Sequence, residues 1–199
     1  MPRKPTTPFG YIAFGKDGTV SPHIEQLSST KSEQELRVGT SFVRHALNLC
    51  GETASVRLLE ENNHDFAILL GDAPLAYVQC TEIVYRDFLA PTGTAASESI
   101  LIEGQLCPVD ITKRDETLRV KIENKLKKHY SKPEGVELWL LIWSVTGYLA
   151  FYQASSSGKL IVPESVQRAR DFLQESSAEP FDKILSFNML TRPTVIWPI

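Results

Sequence analysis

The 199-residue sequence has few cysteines and no long apolar run. The three cysteines lie far apart and show no CxxC spacing, so neither a disulfide framework nor a zinc site is expected. No apolar run approaches the roughly 18 residues of a membrane span, and the first residues lack the apolar segment of a secretory signal. We therefore expect a cytoplasmic protein with reduced cysteines and no membrane partner.

Sequence patterns of several common enzyme classes are also missing. The chain contains no GxSxG elbow and neither a Walker nor a dinucleotide-binding glycine pattern. The four histidines show no HExxH or HxxxH spacing, which argues against a zinc hydrolase. The formal net charge of -3 gives no overall attraction to nucleic acid, so any polyanion binding requires a local basic surface.

The length and composition are those of one folded domain with short additions. Hydrophobic residues make up 42% and charged residues 23% of the chain, which is typical of globular proteins and unlike disordered ones. Residues 1–29 are rich in Pro, Gly, Ser and Thr and are expected to form an N-terminal extension with a short hairpin over 11–20. We assign residues 30–190 to a single α/β domain and 191–199 to a C-terminal tail.

Periodicity and turn signals predict alternating helices and short strands within this domain. The expected order is a helix over 32–50, strands over 55–60, 65–70 and 75–84, a helix over 113–130, a strand over 136–143, a helix over 163–175 and a last strand or short helix over 181–190. Ser32 and Glu35 fit a capping box at the start of the first helix. The short links between the first three strands predict an antiparallel meander, and residues 86–112 are a long connection and a candidate substrate loop.

Two polar residues interrupt the predicted meander. Asp65 opens the second strand, and Gln79 shares one face of the third strand with Thr81 because strand side chains alternate. If the strands pair through the turn at 71–74, Asp65 lies beside Gln79. A buried amide without partners costs about 1–3 kcal/mol, so Gln79 requires either a polar cleft or neighbouring backbone groups.

These residues resemble the two-part signature of the PD-(D/E)xK, or restriction-endonuclease-like, nucleases. Residues 63–66 (NHDF) resemble its first part, and residues 78–82 (VQCTE) resemble its second part. The order of helices and strands over about 32–145 is similar too. The resemblance implies a three-layer α/β core, with a mixed sheet that contains an antiparallel meander and is flanked by helices. It also implies metal-dependent hydrolysis of phosphodiester bonds in DNA or RNA.

The resemblance further implies a Mg²⁺ site in which Asp65 is the principal ligand and Gln79 occupies the second ligand position. Hydrolysis of this kind uses hard divalent cations, held by oxygen ligands, to polarise the phosphate and activate water. Among the expected catalytic residues, the family's lysine is replaced by Thr81. Lys125 and Lys121 on the next predicted helix are the candidate replacements, and Lys125 is preferred.

Other interpretations of the same residues stay open. Glu82 could supply a further carboxylate, and Asp65 could be an ordinary turn residue that bonds nearby backbone. Between residues 113 and 128, seven Lys or Arg face three Asp or Glu, which indicates either a phosphate-contacting surface or a solvated helix face. The rival to an active nuclease is therefore an inactive module of the same fold that binds nucleic acid or a protein partner. A third class is an interaction protein whose sheet only mimics the pattern.

Overall fold

A mixed six-stranded sheet organises the chain. The structure is a computed structural model, and it describes residues 9–14, 20–25, 30–46, 53–59, 64–84, 87, 98–102, 105–132, 134–144, 153–154, 160–188 and 193–198. The described helices are α1 (Lys31–Ala46), α2 (Ile111–Leu126) and α3 (Glu164–Glu175). The described strands are β1 (Phe9–Phe14), β2 (Val20–Glu25), β3 (Ala54–Leu58), β4 (Phe66–Leu70), β5 (Ala73–Glu82), β6 (Glu98–Ile102), β7 (Gln105–Val109), β8 (Glu137–Ser144), β9 (Gln153–Ala154), β10 (Leu160–Ile161), β11 (Lys183–Asn188) and β12 (Thr194–Trp197).

The strand order in the main sheet is β12-β11-β8-β5-β4-β3. Strands β3, β4 and β5 form an antiparallel meander, as their short connections predict. Strand β8 runs parallel to both β5 and β11, and the long crossovers that parallel pairs require contain α2 and α3, respectively. The α/β class, the mixed sheet and the central position of the apolar strand are therefore confirmed.

The helices cover both faces of this sheet. Side chains alternate along β8, so Leu138, Leu140 and Ile142 pack with residues of α2 and α3, while Trp139 and Trp143 pack on the opposite face with residues of α1. All five of these side chains are buried. The run from Leu138 to Trp143 in β8 is apolar throughout because both of its faces are covered.

The N-cap of helix α1 lies two residues before the predicted one. Thr30 and Glu33, rather than Ser32 and Glu35, form the reciprocal bonds of a capping box: the Thr30 hydroxyl accepts from the Glu33 amide at 3.3 Å, and Glu33 accepts from the Thr30 amide at 3.3 Å. The predicted cap is therefore wrong, and residues 47–50 of the predicted helix lie outside the described part of the chain. This shift leaves the Glu35 carboxylate available for contacts with the sheet.

Three other segments differ in detail from their predictions. The long connection over 86–112 contains an antiparallel pair, β6 with β7, so it is not irregular throughout. Helix α2 is capped by Asp110 and ends at Leu126, which leaves Tyr130 beyond the helix. Of the two alternatives predicted within 181–190, the structure shows the strand, β11, which covers Lys183–Asn188; residues 189–190 lie outside the described residues.

The remaining predictions concern the two ends of the chain. Strands β1 and β2 form the expected hairpin, although residues 15–19, which include its predicted turn, are outside the described residues. At the other end, β12 pairs with β11 and forms one edge of the main sheet, so part of the segment 191–199 belongs to the sheet. None of the described helices is long and apolar enough to cross a membrane.

Close packing of α1 on the meander depends on Gly39. A Cβ atom at this position would lie 2.9 Å from Val56 Cγ1 and 3.1 Å from the ring of Phe66, which is fully buried. We expect Gly39→Val to lower the free energy of unfolding by about 2 kcal/mol because overpacked cores must shift their backbone. Urea denaturation measures this change. The matched control is Thr40→Val, an exposed neighbour on the same helix, and equal stability of the two variants would contradict the packing described here.

Candidate active site

The pairing of β4 with β5 fixes the position of Asp65. The Asp65 amide donates to the Val78 carbonyl at 2.9 Å, and the next residue, Phe66, is paired with Val78. The Asp65 side chain turns back across the hairpin, where its Oδ2 accepts a hydrogen bond from the Cys80 amide at 2.6 Å. Asp65 therefore lies beside the segment that contains Gln79, with its carboxylate held against the backbone of β5.

Gln79 and Lys125 meet in the same region. Gln79 is only 5% exposed, and its Oε1 accepts from Lys125 Nζ at 3.3 Å. The lysine comes from the last turn of α2, the helix that connects β5 with β8. The amide oxygen of Gln79 therefore accepts a hydrogen bond from a charged side chain of another element. This contact is not one with neighbouring backbone.

The surroundings of Lys125 make its charged form less favourable than it is for a lysine in water. Burial lowers the pKa of the Lys125 ammonium because desolvation disfavours a charge, and the negative charge of Asp65 opposes this effect only in part. The Nζ atom lies 6.0 Å from the centre of the Tyr130 ring, at the outer limit of a cation–π contact. Lys125 is thus a partly desolvated amine next to an amide and a carboxylate.

The other candidate residues lie in the same cleft with different partners. Lys121 pairs with Asp87 at 3.0 Å, and the same Asp87 oxygen accepts from the Val84 amide at 2.9 Å. This arrangement ties Lys121 to the backbone that follows β5. Thr81 and Glu82 also line the cleft, although strand alternation predicts that Glu82 points away from Gln79. Of the two candidate replacement lysines, Lys125 is therefore the one that bonds a predicted metal-site residue.

Helix α1 contributes two residues that the sequence interpretation did not include. Lys31 Nζ lies 2.9 Å from Glu35 Oε1 and 3.0 Å from Asp65 Oδ1, so one ammonium group bridges both carboxylates. The hydrogen bond to Glu35 raises the pKa of Lys31, with a further contribution from Asp65. Burial raises the pKa of the Glu35 carboxyl, and the nearby Asp65 adds to this effect while Lys31 opposes it.

The candidate residues from the sheet and from both helices line one cleft of about 610 Å³. Its basic side chains are Lys31, Lys121, Lys125 and Lys128. Its acidic and amide side chains are Gln34, Glu35, Asp65, Gln79 and Glu82, and Tyr130 and Trp143 add aromatic surface. The cleft therefore combines positive charge, which suits a phosphate, with oxygen atoms, which suit a hard cation.

The oxygen set fits a Mg²⁺ ion that keeps several water ligands. The described residues contain no group of three His, Cys, Asp or Glu side chains arranged around one point. Mg²⁺ commonly takes only one or two carboxylates and completes its octahedral shell with water and phosphate oxygens. Glu35 and Asp65 already share one cationic group, the ammonium of Lys31, and the Gln79 amide oxygen lines the same cleft. This shared cation indicates that the carboxylate pair can accommodate a positive charge between its oxygens.

Comparison with protein-family models, curated proteins and solved structures gave no match. Function is therefore inferred from the cleft itself, together with the resemblance of residues 63–66 and 78–82 to the nuclease signature.

The environment of Lys125 predicts an unusual titration. We expect one lysine side chain to lose its proton below the usual lysine range, because burial disfavours the ammonium form of Lys125. A pH titration of ¹³C-labelled lysine side chains by NMR measures this, and Lys125→Arg assigns the signal by removing it. A titration in which no lysine departs downward from the usual range would contradict the desolvated position of this amine.

Proposed function

We propose that this protein is a metal-dependent nuclease with a restriction-endonuclease-like fold, and that it hydrolyses phosphodiester bonds in DNA or RNA. The observation that carries the proposal is the convergence of Glu35, Asp65, Gln79 and Lys125 in one cleft. These residues come from α1, the start of β4, β5 and α2, so separate parts of the chain build the site. The helix–sheet–helix layers and the meander before α2 agree with the fold that the resemblance implies.

In this proposal, Glu35 and Asp65 hold the divalent ion, Mg²⁺, and Gln79 contributes its amide oxygen. The ion supplies a Lewis acid that polarises the phosphate and lowers the pKa of a bound water. The hydrogen bond from the Cys80 amide orients the Asp65 carboxylate and leaves Oδ1 directed to the cleft.

Lys125 takes the role of the lysine that Thr81 replaces. Its Nζ contacts Gln79, so the amine lies next to the proposed metal ligands and can hydrogen-bond a water or a phosphate oxygen there. Burial lowers the pKa of Lys125, which is the direction that a group accepting a proton from an attacking water requires. In its charged form the same group offsets the negative charge that develops on the phosphate.

The proposal predicts cleavage that depends on a divalent ion and on two side chains. We expect Asp65→Asn and Lys125→Met each to reduce cleavage of mixed DNA and RNA substrates by about 10²–10⁴-fold, since a metal ligand or a proton-transferring group is lost. Gel assays with Mg²⁺ or Mn²⁺, and with EDTA, measure this effect. Asp65→Asn keeps an oxygen that can accept from Cys80, so the hairpin contact survives the change.

Two matched variants separate the loss of a site residue from the loss of a charge elsewhere on the protein. Asp72→Asn removes a carboxylate from the exposed β4–β5 turn, and Lys127→Met removes an exposed ammonium that pairs with Glu123 outside the cleft. Both controls should cleave as the wild type does. Wild-type protein that cleaves neither nucleic acid with either ion, or cleavage that persists fully in Asp65→Asn, would overturn the nuclease proposal.

The second candidate is a nuclease-fold module that binds nucleic acid or a protein partner without cleaving. The observation that favours it is the bridge from Lys31 to Glu35 and Asp65, because this ammonium offsets part of the charge of the two carboxylates without a metal. Such a module would bind nucleic acid at low salt in the presence of EDTA and would release it as salt rises. Binding of this kind without cleavage would favour the second candidate over the first.

A further inference from the structure

We propose that Lys31 is a built-in counter-cation of the carboxylate pair, and that it competes with the divalent ion for Glu35 and Asp65. This inference rests on the proposed function, since it concerns the same metal site. It adds a residue from outside the nuclease signature and assigns it an effect on metal affinity.

The ammonium of Lys31 contacts the oxygens that a metal would use. Asp65 Oδ2 already accepts from the Cys80 amide, so Oδ1 is the oxygen that remains for a cation, and Lys31 Nζ lies 3.0 Å from it. The same Nζ lies 2.9 Å from Glu35 Oε1. A divalent ion that joins Glu35 to Asp65 through these oxygens must therefore displace the ammonium.

The burial of the three side chains shows which of them can leave. The Lys31 side chain is 63% exposed, whereas those of Glu35 and Asp65 are 13% and 11% exposed. Lysine has a flexible stem and a strongly hydrated charge, so Lys31 can move into water at low cost. Glu35 lies on α1, and the Cys80 amide holds Asp65 on the β4–β5 hairpin, so we expect both carboxylates to keep their positions when the lysine moves.

Charge balance explains why a cation beside this carboxylate pair is favourable. Two neighbouring carboxylates repel each other, and both of these side chains are largely shielded from water. The Lys31 ammonium offsets this repulsion while no metal is bound. A divalent ion that displaces Lys31 replaces one positive charge by two. Because the ion and the ammonium compete, the fraction of sites that hold the ion depends on the free metal concentration.

The test is a Mn²⁺ titration of the full chain, monitored by electron paramagnetic resonance. The protein is first treated with EDTA, and the EDTA is removed before Mn²⁺ is added. We expect Lys31→Met to tighten the apparent Mn²⁺ affinity by about three- to tenfold, because two ion pairs no longer compete. Lys31→Arg should bind Mn²⁺ nearly as the wild type does, since the guanidinium keeps the competing charge. Asp65→Asn should lose the binding, which assigns the signal to this cleft.

Lys128→Met is the matched control for charge. Lys128 lines the same cleft but forms no ion pair with Glu35 or Asp65 in the part of the chain that the structure describes, so its removal changes only the general potential. A smaller gain in this variant than in Lys31→Met supports direct competition. Equal gains in both variants, or no gain in Lys31→Met, would overturn the inference. Circular dichroism and thermal melting establish that each variant is folded.

The outcomes also separate this inference from the proposed function. Equal Mn²⁺ affinity of the wild type and Lys31→Met would overturn the role of Lys31 and leave the metal site standing. Binding by Lys31→Met alone would support the competition by Lys31 and overturn the proposed function, because the wild-type site would then hold no ion. Absence of Mn²⁺ binding in the wild type and in Lys31→Met would overturn the metal site and the inference together.

Discussion

The antiparallel pairing of β4 with β5 is the constraint on which the candidate site depends. It places Asp65 next to the segment with Gln79, and the 2.6 Å bond from the Cys80 amide to Asp65 Oδ2 directs the other carboxylate oxygen to the cleft. A shift of this pairing by one residue would turn Gln79 to the opposite face of the sheet, because side chains alternate along a strand. The strongly apolar face of β4, buried at Phe66 and Ile68, opposes such a shift.

Much of the fold follows from local sequence signals. The short links between β3, β4 and β5 can join only antiparallel strands, and the continuous apolar run of β8 requires cover on both faces. The same signals bring Asp65 beside Gln79. The placement of Lys125 next to Gln79 depends on how α2 lies across the sheet, so it was a hypothesis from the resemblance and not a consequence of spacing. The fold gives no activity by itself, and the nuclease function stays a proposal.

The part of the site that sequence interpretation missed lies on α1. Placing the cap at Ser32 assigned the Glu35 side chain to a contact with the backbone at the start of the helix. The buried positions Val38 and Phe42 lie three and seven residues after Glu35, so Glu35 continues the face that packs on the sheet. The sequence signal for this residue was a carboxylate at helical spacing from residues that are buried. The bridge from Lys31 could not be read from the sequence, because Asp65 is 34 residues away.

We propose that Glu35 and Asp65 form a divalent-ion site and that Lys31 competes with the ion for their oxygens. The most direct measurement is the anomalous diffraction of crystals grown with Mn²⁺. We expect one anomalous peak within about 2.0–2.3 Å of carboxylate oxygens of both Glu35 and Asp65. The Lys31 side chain should then point into solvent. An empty cleft at high Mn²⁺ concentration, with Lys31 still bridging the two carboxylates, would contradict this proposal.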